Sequence, residues 1–201
     1  MAINTLLTSL IADVYSVTGR PDLEAETKLA VKAATLKAHQ SDYYFKDLLE
    51  TGIQFATAEY LQDADLRVII PNFRNIRYAR RYDTSGTGKD AEFYTILTPG
   101  ELLDSYGNDK SNVAYMAGTV LKIKSRVKLD HLLIGVYVSP AITDDTYSSW
   151  VATDHPYAVI FEAARLVFKQ IGFDEQSTTF EKLTAEQFIE LRMNNIQAVG
   201  Y

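Results

Sequence analysis

The chain has 201 residues, 47% of them hydrophobic, a formal net charge of −6 and no cysteine. That length accommodates one domain, or one domain carrying an insertion, with a core that needs no covalent staples. Without cysteine there are no disulfides, zinc–thiolate sites or cysteine nucleophiles, and the acidic balance argues against a protein whose main work is gripping nucleic acid.

In chain order the first element is a helix over Thr5–Thr18. Leu6, Leu7, Leu10, Ile11, Val14 and Val17 form its stripe, and Gly19 stops it. Pro21-Asp22 opens a second helix with Asp22 as the expected N-cap, Glu24 and Glu26 in its first turn, and a stripe of Leu29, Ala33 and Leu36 beside Ala30 and Ala34. It ends near Gln40-Ser41.

From Ile53 the texture becomes strand-like. Ile53–Thr57 alternates, Arg67–Ile70 is a short apolar run closed by Pro71, and Phe73–Tyr82 reads as another strand. Thr84–Lys89 reads as a loop, and Thr98–Leu103 opens one short helix. Ala114–Ser125 and Leu132–Val138 read as paired strands joined around Lys128-Leu129-Asp130. Helical spacing returns after Pro140. Asp154 caps a helix with Pro156 in its first turn and a stripe of Tyr157, Ile160, Phe161, Ala164, Val167, Phe168 and Ile171, ended by Gly172. A last helix runs from Gln176 to Asn195, with Phe180, Leu183, Phe188 and Leu191 on its inner side.

These blocks predict an α+β fold: mainly an α-helical bundle with an antiparallel β region inserted between the N-terminal and C-terminal helices. The chain is expected to be a single domain over 1–201, with N-terminal helices over 1–50, the β-rich insertion over 51–140 and C-terminal helices with a docking tail over 141–201.

Catalytic patterns are weak. Gly86-Thr87-Gly88-Lys89 lacks the earlier glycine and the Ser/Thr of a phosphate loop, since Asp83 and Asp90 stand there. Asp144-Asp145 has no calcium-loop partners, His39, His131 and His155 form no metal-binding pair, and no Gly-x-Ser-x-Gly elbow occurs. The expectation is a non-enzymatic protein with no catalytic, metal or cofactor site, an unrecognised hydrolase being a remote alternative.

Two patterns point to interaction instead. Lys122, Lys124, Arg126 and Lys128 recur at every second position, so a strand sets them on one face, either a solvated sheet face or a contact with a neighbouring subunit ahead of DNA phosphates; Arg74, Arg77, Arg80 and Arg81 spread over both faces of another strand. The 13 tyrosines, 9 phenylalanines and one tryptophan suit either a Tyr-rich core or an interface. Past Leu191 the apolar residues Met193, Ile196, Val199 and Tyr201 continue at near-helical spacing, which predicts helix-in-groove docking, the alternative being a segment folded back on its own bundle.

The order Tyr115–Ile123, Leu132–Pro140, Ser149-Trp150, His155–Ala164, Asp174-Glu175 and a helix from Phe180 resembles the head-to-tail adaptor proteins of tailed phages, the tail tubular protein A or gatekeeper kind. Leu29–Ala38 and Tyr43-Tyr44-Phe45 resemble that family's early helix and the aromatic cluster after it. The resemblance implies a structural virion protein of the phage neck, assembled in the host cytoplasm into a ring of twelve subunits. Such a ring binds the portal protein on one side, through Phe188, Leu191, Met193, Ile196, Val199 and Tyr201, and the tail nozzle or tube on the other. It lines the channel that double-stranded DNA passes through, and it requires no cofactor. The alternatives are a tail-completion or terminator protein of the same virion and, more remotely, a DNA-packaging accessory. No leader is expected from the first residues, and no stretch nears the roughly 18 apolar residues of a membrane span.

Overall fold

The computed structural model describes residues 4–82, 92–103 and 106–199, and the chain divides into two compact units. The first combines Met1–Asp47 with Ser139–Tyr201; the second is Leu48–Val138.

In the helical unit, α1 (Thr5–Thr18) begins where the Asn4 side chain accepts from the Leu6 amide at 3.0 Å. It ends at Gly19, whose φ of +66° is a conformation that glycine adopts without the Cβ penalty. α2 (Glu24–Gln40) follows, then a 3₁₀ turn (Phe45–Asp47), α4 (Trp150–Asp154), α5 (Pro156–Gln170) and α6 (Asp174–Val199). α5 is the central helix, in contact with α1, α2, α4 and α6. Leu7, Leu10 and Val14 of α1, Val31 and Ala34 of α2, and Ala158, Val159, Ala163 and Val167 of α5 fill one core.

Several local expectations are corrected here. Asp22 does not cap α2: the N-cap is Leu23, with no side-chain bond, and Asp22 instead pairs with Arg20 at 2.8 Å. The buried face of α2 is Thr27, Ala30, Val31, Ala34, Thr35, Ala38 and His39, while Leu29 is 68% exposed. Small side chains face α5 because the two backbones approach closely there, and the larger leucine is turned to solvent. Asp154 ends α4 rather than capping α5; His155 holds the cap position, with Pro156 at the first turn.

The second unit is built on β5 (Val120–Val138), one unbroken 19-residue strand. β1 (Leu48–Asp65) runs antiparallel along it, from Leu48 opposite Tyr137 to Asp65 opposite Val120, with irregularities between Gln54 and Leu61. On its other edge β5 pairs with β2 (Phe73–Arg81) through its second half and with β4 (Val113–Ala117) through its first. β3 (Phe93–Leu97) joins β2 antiparallel and β4 in parallel, so β2, β3, β4 and β5 close on themselves with β1 as an extra strand. Leu66, Leu121, Leu129, Leu132, Ile134 and Val136 anchor its separate core.

This overturns the expected fold class. The described residues are 46% helix and 33% strand, and their strands form a closed mixed barrel with one added strand, not an antiparallel region inserted in a mainly helical bundle. The expected break at Lys128-Leu129-Asp130 is absent: Leu129 is fully buried opposite Glu59, and the strand continues through it. The turn lies instead at Gly118-Thr119, where Gly118 has φ +66° and splits the expected Ala114–Ser125 strand into β4 and the start of β5. Arg67–Ile70 is not extended either. Asp65 caps a single turn, α3 (Leu66–Ile69), which buries Leu66 and Ile70 and leaves Val68 78% exposed.

Candidate functional site

The outward face of α6 changes character along its length. Glu175, Thr178, Lys182 and Glu186 are exposed in its first half; Ile189, Met193 and Ile196 follow at i, i+4 and i+7, exposed at 60%, 54% and 48%. Of the expected docking residues, Leu191 is buried at 1% and Phe188 packs against the core under the Lys37 ammonium, so these two belong to the interior. Met193 and Ile196 lie on the exposed stripe. Val199 ends the helix, and Tyr201 lies outside the described residues. Ile189 was missed, although its four-residue spacing from Met193 is a sequence signal for it.

The inward face of the same segment is tied down. The Arg192 guanidinium donates to the Ser41 carbonyl at 3.0 Å, and the Asn195 side chain accepts from the Phe45 amide at 3.0 Å and donates to the Tyr43 carbonyl at 3.4 Å. A cleft of about 200 Å³ opens beside it, lined by Tyr44, Phe45, Trp150, His155, Leu191 and Asn194, among others. The stripe is therefore carried on an anchored helix.

The four basic residues of β5 do alternate with buried Leu121, Ile123 and Ser125 over its first part, but three are engaged within the unit. Lys122 pairs with Asp63 at 2.9 Å across the β1 ladder, and Lys124 with Asp109 at 2.7 Å. Arg126 donates to the Ser111 hydroxyl at 2.9 Å, and Lys128 is exposed beside Thr57–Leu61. The hydrogen bond from Lys122 to Asp63, more than the charge itself, holds that ammonium above its ordinary pKa. The loop Gly86–Lys89 lies outside the described residues.

A polar centre in the helical unit had no sequence signature. His39 Nδ1 lies 2.8 Å from Asp47 Oδ1, His39 Nε2 lies 2.9 Å from Ser149 Oγ, and the Trp150 indole donates to Asp47 Oδ1 at 2.7 Å. The order serine, histidine, aspartate is that of a hydrolase triad. Its serine is 5% exposed, however, and accepts from the Ala152 amide at 3.1 Å as the N-cap of α4. The arrangement joins α2, the 3₁₀ turn and α4 by hydrogen bonds among groups too buried to meet a substrate. Residues 110 positions apart supply it, which no local pattern reports.

Other polar side chains of the helical unit, buried or partly buried, are also internally bonded. Glu162 of α5, fully buried, receives two bonds from Arg165 at 2.8 and 2.7 Å and one from Lys37 of α2 at 2.8 Å. Asp144 accepts from Lys28 and Lys32 at 2.5 and 2.6 Å. Tyr147 is buried with its hydroxyl 2.5 Å from Thr35; burial pushes its phenol up to about 12, against the pull of that bond. Tyr44 and Tyr94 are buried too, bonded to Ser41 and Ser125, so part of the tyrosine excess is core. Among the described residues no group of three histidine or acidic side chains is placed to hold a metal ion, and no helix is long and apolar enough to cross a membrane.

No protein-family model matches the chain, and no curated protein matches it significantly.

Proposed function

We propose that this protein is a structural, non-enzymatic subunit of the ring that joins the head of a tailed phage to its tail. The observation that carries the reading is the stripe of Ile189, Met193 and Ile196, held outward on an anchored helix that continues through Val199. Three large apolar side chains in register on a solvent-facing helix suit insertion into a partner's groove. The partner in this reading is the portal, with the other side of the ring meeting the tail nozzle or tube. The order of sequence blocks that resembles head-to-tail adaptors supports the same assignment.

The packaging-accessory reading is weakened by Lys122 and Lys124, whose charges are spent on Asp63 and Asp109. DNA passing through the ring then meets a largely compensated surface, and the isolated chain binds duplex weakly at physiological salt.

The test mixes purified chain with portal rings encoded by the same genome and resolves the products on a gradient. Wild-type chain co-migrates with the portal. The triple variant Ile189→Asp, Met193→Asp, Ile196→Asp stays behind, while its melting temperature changes little because the three side chains leave no cavity. Equal binding by the variant would remove the stripe from the interface, and no binding by the wild type would remove the adaptor reading.

A further inference from the structure

In the barrel unit, β1 differs from the other strands. β3, β4 and β5 each have a strand neighbour on both sides and β2 is covered by β3 only at Ala79 and Arg80, whereas β1, among the described residues, pairs with β5 alone. Over its 18 residues, about half of the backbone N–H and C=O groups point away from β5. A long free edge of this kind is a template for another strand. It also exposes apolar side chains: Leu49 at 42%, Tyr60 at 54% and Leu61 at 64%.

Charge selects what can lie there. β1 carries Glu50, Glu59, Asp63 and Asp65 and no basic residue, Asp63 being already paired with Lys122 and Asp65 capping α3, while β2 carries Arg74, Arg77, Arg80 and Arg81 and no acidic one. Two β1 strands meeting about a twofold axis would set carboxylates against carboxylates. β1 against β2 of another copy sets opposite charges together. The β3 ladder reaches β2 only at Ala79 and Arg80, and Arg77, just before it, is exposed.

We propose that β1 of one copy of this chain docks along the arginine-bearing β2 of a second copy, making a head-to-tail contact directed by charge. Such a contact uses two different surfaces, so it propagates, and it closes into a ring when the rotation per subunit allows. Its role as the joint between ring subunits rests on the adaptor reading; the contact itself does not.

The full-length chain, without portal, is followed by sedimentation over a concentration series at low and high salt. Self-association is expected at low salt and weakens as salt screens the strands. The variant Glu50→Lys, Glu59→Lys and the variant Arg77→Glu, Arg80→Glu each associate about tenfold more weakly or worse, since like charges now face each other. An equimolar mixture of the two recovers association, because the altered strands complement one another. Monomer at every concentration, variants that behave as wild type, or a mixture no better than its components would each overturn the contact.

A second measurement leaves these charges intact. The chain has no cysteine, so Gln54→Cys and Asn72→Cys chains can be joined with a bismaleimide. A covalent dimer is expected mainly when the two are mixed. A dimer formed as readily from Gln54→Cys chains alone would mean that β1 meets β1, and the proposal fails. A chain that self-associates as expected yet ignores the portal keeps the contact and loses the adaptor reading.

Discussion

Glu162 has no exposed surface, and its carboxyl accepts three bonds from the cationic side chains of Arg165 and Lys37. Burial alone would raise its pKa, but the bonds from Arg165 and Lys37 outweigh it and hold the carboxyl below its ordinary value. A carboxylate depressed in the folded state stabilises above its unfolded pKa, and that contribution is lost as pH falls through the folded one. Glu162→Ala should therefore cost on the order of 3 kcal/mol at neutral pH. That is the low end for breaking a buried pair, because Lys37 stays half-exposed. Urea titrations of both proteins should show the gap narrowing as pH drops through about 4.3, the pKa of a free glutamate, toward the lower folded value. A gap independent of pH would mean that the cost is packing alone. Little of this was legible beforehand: Glu162 sits in a helix whose apolar stripe is plain, but its partner Lys37 is 125 positions away.

At the scale of elements, legibility followed how local the cause is. α1 matched its expected span because Asn4, the leucine spacing and Gly19 all act within a few residues. α6 runs to Val199 rather than stopping at Asn195, since nothing at that point breaks a helix. The barrel was poorly legible. β5 looked like two strands because Lys128 and Asp130 resemble a turn, and the buried Leu129 that carries the strand through declares itself only against β1. The parallel pairing of β3 with β4 depends on partner choice, which side-chain alternation does not encode. One close approach can be tested. Gly135 of β5 lies between Glu50 of β1 and Tyr78 of β2; the Tyr78 ring covers the glycine and its hydroxyl donates to Glu50. A Cβ at position 135 would enter that ring. Gly135→Ala should cost about 1–3 kcal/mol by overpacking. Adding Tyr78→Ala should recover part of the loss, seen as strong non-additivity in a double-mutant cycle. Additive effects would show that the ring is not what forbids the methyl group.

For the whole molecule, each unit has its own buried cluster, and Leu48 and Tyr137 are paired, so the barrel unit is entered and left at adjoining points. A chain cut to residues 48–138 should fold by itself, with a strand-type circular dichroism spectrum and one cooperative thermal transition. A broad, non-cooperative melt would show that the barrel depends on the helices.

The central position of α5 also sets an order of events during synthesis. α1 and α2 emerge first with faces that α5 covers, and 130 residues separate Gln40 from Gln170. At about 5–20 residues per second, the ribosome takes roughly 6–26 s over that stretch. In that interval the barrel strands are completed while Leu7, Leu10, Val14 and Val31 still await their cover. The early helices are thus the nascent chain's exposed greasy surface, and a chaperone that reads short apolar segments would find its binding site there.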